Sequence, residues 1–260
     1  MAVWNKEDIQ LGIAPIGWTN DDMPELGREN TFRQCLSEMA LAGFTGTEVG
    51  SQYPKEQEAL NYDLKLRHME VCNSWFSSFL LTKPYEEVEQ EFVAAVRFLK
   101  ATGSKVIGVS EQSYSIQGTD APILEAKYVM NDAEWERLLA GLNRLGAKAQ
   151  EEGIHLTYHH HMGTVIQTSE ETDLFLAGTD AETVSLLFDT GHFAYEGEDV
   201  SALLDKYMSR IKHIDLKDIR GKKIEKVRQE HLSFLQGVRL GTFTIPGDGD
   251  LDFEQIFEQI

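Results

Sequence analysis

Cysteine occurs only twice in the 260 residues, at Cys35 and Cys72, too sparsely for a disulfide framework. That points to a reducing compartment, the cytoplasm. No apolar run reaches the roughly 18 residues a membrane helix needs, and the N-terminal MAVWNKEDIQ lacks a signal-peptide core. Positive charge is also scarce: 24 Lys and Arg against 43 Asp and Glu leave a net charge of −19. Such a surface repels nucleic acid and anionic membrane, but admits a metal ion or a neutral sugar as partner. Proline is limited to six residues, and low-complexity sequence is absent. With 42% apolar residues the chain has material for a large core. The composition describes an acidic, soluble, intracellular protein.

What is present is alternation of short apolar runs with longer amphipathic ones. Strands are expected at 11–17 (LGIAPIG), 44–50 (FTGTEVG), 69–79, 104–110, 154–161 (IHLTYHHH), 184–190 (VSLLFDT) and 210–218 (RIKHIDLKD). Helices are expected at 29–43, closed by Gly43, and at 55–68, 84–103 and 131–153. A loop of about twenty residues follows the fourth strand, longer than most connections. This pattern means a parallel sheet covered by helices, most simply a (β/α)8 TIM barrel in one domain over 1–260. A doubly wound sheet would want GxGxxG after the first strand, and GIAPIGWTNDD does not supply it. After the seventh strand come a helical stretch (222–237), GTFTIPGDGDLDF and EQIFEQI. The barrel therefore lacks its C-terminal strand-helix unit, unless FTI (243–245) serves as the eighth strand.

Polar side chains recur at the C-terminal strand ends, which converge on one mouth in such a barrel. They are Trp18 and Asn20, Glu48, Asn73 and Trp75, Glu111, then His159, His160 and His161, Asp189 and His192, and His213, Asp215 and Lys217. On an extended strand His159 and His161 share one face and His160 takes the other. Two imidazoles beside Asp189, His213 and Asp215 suit a divalent metal, whereas loop histidines with ordinary hydrogen bonds are the plain alternative. Asp189 ends an apolar strand, where a carboxylate needs a partner, a metal or a helix to cap. His192 touches substrate or caps its loop. Lys217 is a base or hydroxyl donor, or the partner of Asp218. Glu48 and Glu111 bind hydroxyls or are paired with basic side chains. Trp18 and Trp75 form an apolar wall for a sugar ring, or Trp75 lies in the core. PGDGD (246–250) has the composition of a Gly/Asp turn and not the spacing of a calcium loop.

Taken together, GIAPIGWTNDDMPELG (12–27), GFTGTEVGSQYP (43–54), VIGVSEQSYSIQG (106–118), YHHHMGT (158–164), FDTGHFAY (188–195) and IKHIDLKDIR (211–220) resemble the inosose dehydratases, in the xylose-isomerase-like TIM-barrel superfamily. The resemblance runs from about residue 10 onward. It implies removal of water from 2-keto-myo-inositol to give a trihydroxycyclohexanedione, a divalent manganese or cobalt ion, and an association with glutathione. It also implies metal ligands at His159, where many relatives have Glu, at Asp189, and at Asp215 on the seventh strand, to which the strand-end reading adds His213. Relatives usually read His-x-His-Leu-Lys-Asp where this chain has Asp215, and the family's strand-eight glutamate would fall beyond Ile260. For the chemistry, His161 or Lys217 is the candidate base and His192 or Glu48 the candidate acid. Trp18, Asn20, Trp75 and Glu111 are the candidate substrate contacts. A sugar isomerase or epimerase on the same scaffold, and a non-catalytic polyol-binding protein or an incomplete chain, folded or assembled into a homo-oligomer through its open edge, are the competing readings.

Overall fold

The computed structural model describes residues 10–260 and contains a sheet of seven parallel strands. The reading of the N-terminus as lacking a signal-peptide core lies outside the described residues. The strands are β1 (Gly12–Ile13), β2 (Gly46–Val49), β3 (Glu70–Ser78), β4 (Val106–Glu111), β5 (His155–His159), β6 (Val184–Asp189) and β7 (Ile211–Asp215). Each pairs with its neighbour in chain order; among the described residues β1 and β7 are paired on one side only. The architecture is an incomplete (β/α)8 barrel, as expected. No helix among the described residues is long and apolar enough to cross a membrane.

The helices between strands are α1 (Phe32–Leu41), α2 (Gln57–Lys65), α3 (Tyr85–Ala101), α4 (Asp132–Glu151), α5 (Ser169–Gly178), α6 (Thr190–Glu196) and α7 (Val200–Tyr207). Their sequences explain them. In α3, Val88, Phe92, Val96 and Leu99 recur at helical spacing and form the buried stripe. In α4 a capping box joins Asn131 and Glu134, and Leu138, Leu142, Leu145 and Ala149 face the sheet. All six residues of β6 are buried, as a parallel strand covered on both faces requires.

Four segments depart from expectation. LGIAPIG yields only two strand residues, because Pro15 has no N–H for the ladder and opens a 3-10 turn at Pro15–Gly17. FDTGH contains a helix start, since α6 begins directly after Asp189. The stretch after β7 is two helices, α8 (Gly221–Gln229) and α9 (Phe234–Leu240), separated at His231, whose φ is +52°. FTI is not the eighth barrel strand: β8 (Asp218–Ile219) and β9 (Phe243–Thr244) form a separate antiparallel pair. Asp218 is fully buried and accepts from the N–H groups of Gly247 (3.0 Å), Gly249 (2.9 Å) and Leu251 (3.0 Å). PGDGD is thus a turn folded around the protein's own carboxylate. A last helix, α10 (Phe253–Gln259), packs on α7.

Candidate active site

The three adjacent histidines point as an extended chain dictates. His159 and His161 both meet the Trp75 ring edge-on, at 5.3 and 5.7 Å between centroids. His160 turns the other way and stacks on Phe193 of α6 at 3.6 Å. Its Nε2 accepts the backbone N–H of Asp189 at 3.2 Å, so the outward histidine ties β5 to the end of β6. Gly163, at φ +78°, then turns the chain away from the mouth.

Asp189 takes two of the three roles its sequence position allowed, helix cap and ion-pair partner. Its Oδ1 caps α6, accepting from Gly191 N at 2.9 Å and His192 N at 3.0 Å. Its Oδ2 faces the mouth, 3.2 Å from His159 Nε2 and 3.7 Å from His192 Nε2, and is bonded to the Lys217 ammonium. The cap places His192 one turn along α6 beside its neighbours. Ligand atoms of His159, Asp189 and His192 all lie within 4.8 Å of one another.

β7 supplies the flank. Asp215 Oδ2 lies 3.3 Å from Lys217 Nζ and 3.9 Å from His159 Nε2, and its Oδ1 is 3.5 Å from His213 Nε2. The backbone of Lys217 is clamped by Thr190, whose Oγ1 accepts from Lys217 N at 2.9 Å and donates to Lys217 O at 2.7 Å. Gly191 leaves the room for the lysine side chain, since a Cβ there would stand 2.6 Å from Lys217 Cβ.

Electrostatics sort these groups. Burial pushes the Asp189 pKa up, but the Lys217 ammonium, His192 and His159 overrule it and hold the carboxyl well below its usual range. Asp215 is lowered in the same way, burial being outweighed by Lys217 and His213. Lys217 is raised, because the two aspartates outweigh its burial. In this arrangement it is an ammonium at neutral pH, a hydrogen-bond donor to the two aspartates. Burial lowers His160 and His192 well below the ordinary imidazole value and His161 to about 3, the His159 charge adding to the last. His161 Nδ1 is 2.9 Å from Met162 O, so its neutral form donates Nδ1–H and leaves the Nε2 lone pair free. Glu48 is raised, first by burial and then by Asp215, which favours its protonated form. His213 is raised because Asp215 outweighs its burial.

Three of the expected substrate contacts are engaged with other parts of the protein. Glu111 is fully buried, and its oxygens accept from Ser78 Oγ, Leu80 N (3.0 Å) and Ser113 N (3.1 Å). It organises the loops after β3 and β4, so both oxygens are spent on the fold. Trp18 Nε1 donates to Glu38 of α1 at 2.5 Å. Asn20 Oδ1 accepts from Asp22 N and Met23 N, an Asx turn. Of the four, Trp75 alone contacts the histidines. Two further rings border the histidines, Phe234 at 5.2 Å from His161 and Phe243 at 5.3 Å from His192. Neither was anticipated, because both follow β7 in segments that carry no strand-end signal.

The donor set suits a divalent cation. Oxygen and imidazole donors separated by 3.2 and 3.7 Å match ligands that share one ion at about 2.0–2.2 Å from each. Neutral imidazole is the ligating form. Met162 N reaches His192 Nδ1 at 3.5 Å, too long to lock the proton on Nε2.

Comparison with known proteins agrees with the architecture. Residues 36–260 match the family model of the xylose isomerase-like TIM barrel. An inosose dehydratase of Clostridium perfringens (strain 13 / Type A) is 60% identical over 252 residues, covering 96% of this chain and 85% of that protein. Among solved structures, the probable 3-DHS dehydratase AsbF of Bacillus anthracis superposes with a TM-score of 0.73 at 13% identity, over 96% of this chain and 88% of that one. The IOLI protein, solved with a zinc atom, superposes at 0.68 and 13% identity, over 96% and 84%. At such identities these two show the fold. The chain belongs to the inosose dehydratase family and carries the xylose isomerase-like TIM-barrel domain.

Proposed function

We propose that this chain dehydrates 2-keto-myo-inositol (scyllo-inosose) to a trihydroxycyclohexane-1,2-dione, with His159, Asp189 and His192 holding a divalent cation and Asp215 next to them. The observation that carries this reading is the convergence of those donors beside a neutral imidazole, His161, and a carboxyl biased toward its protonated form, Glu48. A divalent cation bound there would supply a Lewis acid for the ketone oxygen. The chain's own groups carry the protons. His161 Nε2 takes the proton from the carbon beside the ketone, and the electron pair becomes an enolate. Expulsion of the β-hydroxyl needs one proton, which Glu48 delivers, so one water leaves an enol that ketonises to the dione, and the proton gained by His161 returns Glu48 to its acid form. The Lys217 ammonium stabilises negative charge on oxygen, and His213 orients Asp215. Trp75 and Phe234 are the apolar walls that keep bulk water from the enolate. The free Cys35 and Cys72 suit a reducing cytoplasm.

The test is incubation of the full chain with 2-keto-myo-inositol and manganese or cobalt, with and without glutathione, against a chelated control. Dione should form only with metal present. Equal turnover in the chelated sample would sink the metal assignment, and absence of dione from folded, metal-loaded protein would sink the dehydration. Interconversion of ketohexoses instead would favour the isomerase reading.

A further inference from the structure

We infer that the Lys217 ammonium and the divalent cation exchange for one oxygen, Asp189 Oδ2, so that the cation enters by moving the ammonium across to Asp215. This rests on the reading above that His159, Asp189 and His192 hold the cation. In the structure the ammonium is bonded to the same Oδ2 that His159 and His192 face. Asp189 has no second oxygen to offer, because Oδ1 is committed to the N–H groups of Gly191 and His192. A cation taking Oδ2 therefore meets Nζ directly.

The lysine has somewhere to go. Asp215 Oδ2 already lies 3.3 Å from Nζ, and Glu48 is the third carboxylate that acts on it. Thr190 holds the Lys217 backbone through both its N and its O, so the chain cannot follow and only the flexible four-carbon stem moves. Gly191 leaves that stem its channel. In the cation-free state the ammonium keeps two ionised aspartates from facing each other unpaired. The lysine is thus a placeholder that stays in the site, delivered by the incoming cation to the place where it meets substrate oxygen.

The exchange sets a competition that binding measures without turnover. Affinity of the chelator-stripped full chain for Mn²⁺ is measured by calorimetry for wild type, Lys217→Met, Lys217→Arg and Asp189→Asn. Removing the competitor in K217M should tighten binding about tenfold or more, since the apparent Kd of wild type is raised by the fraction of sites the ammonium fills. Arginine keeps the charge, but its fork engages a carboxylate with two N–H groups and does not retract singly. K217R should therefore bind about threefold or more weakly than wild type. Wild-type affinity in K217R would mean that only through-space repulsion acts, and would overturn the exchange, as would K217M binding no more tightly. Because K217M leaves two aspartates unpaired, the pair Asp215→Asn and D215N/K217M, with one, repeats the comparison in a less strained background. Wild type binding no better than D189N would reject the cation site itself, and the exchange with it.

Discussion

The two functions of Asp189 are separable by stability measurements on the metal-free protein. Asp189→Ala removes both. Loss of the cap to Gly191 and His192 costs about 1 kcal/mol. Removing one partner of a buried ion pair costs about 3–5 kcal/mol. Here the lower end applies, because Lys217 is 29% exposed and retains Asp215 at 3.3 Å. The sum is about 4 kcal/mol. Asp189→Asn keeps an oxygen for the cap and loses only the charge, about 3 kcal/mol. For a domain of this size each kcal/mol moves Tm by about 2–4 °C. Thermal unfolding followed by circular dichroism in chelator should therefore show D189A about 8–16 °C below wild type and D189N about 6–12 °C below. Added Mn²⁺ at a hundred times its Kd should raise wild-type stability by about 2.7 kcal/mol and leave both variants unmoved. Equal Tm values for the two variants would refute the cap. Both lying within a degree or two of wild type would refute the ion pair, and metal stabilisation of D189N would refute the ligand assignment.

The buried histidines make the metal-free protein acid-sensitive. His160, His161 and His192 have folded pKa values below the unfolded value near 6.5, so below that pH the unfolded chain binds more protons and stability falls. The slope reaches about 1.4 kcal/mol per pH unit for each histidine. His213, raised in the fold, contributes stability that is complete below pH 6.5 and lost above it, so it does not offset the acid slope, whereas Glu48 and Glu196, raised by burial, gain stability as pH falls and offset part of it. A Tm that stays flat from pH 6.5 to 5 would contradict this account. Glu111→Gln should lower Tm by about 4–12 °C, because a buried carboxylate that accepts from Ser78, Leu80 and Ser113 loses its charge-assisted bonds. The KM of the folded fraction should be unchanged, and a large rise in KM would return Glu111 to the substrate.

The barrel was legible because period and punctuation agree over most of the chain, with strand and helix positions recovered to within a few residues. The side-chain cluster of the candidate site was legible for the same reason, since strand-end side chains in a parallel barrel share a mouth. His159, His161, Asp189, His192, Asp215 and Lys217 follow from that rule alone. What stayed hidden depends on events the pattern does not encode. Glu111 and Lys217 look alike as strand-end charges, yet one is consumed by loop N–H groups and the other by two aspartates, and only packing tells them apart. Trp18 and Asn20 follow a two-residue strand cut short by Pro15, and they serve the loop. Phe234 reaches the histidines because the chain breaks at His231, a left-handed position that histidine takes more readily than most side chains but that helical periodicity does not register.

Strand order that equals chain order has a consequence for motion. Every pairing joins consecutive strands, and among the described residues β1 and β7, each paired on one side, hold the two-residue strand and the partly buried Asp215. Local unfolding begins where pairing is thinnest, so amide exchange should be slowest through β4, β5 and β6 and quicken toward both flanks. His159 and Asp189 stand on the slow centre; Glu48 and Asp215 stand on the quicker margins. The ligand cluster is thus an anvil, and the groups that trade protons and charge with it are mounted on the parts of the sheet freest to approach and withdraw.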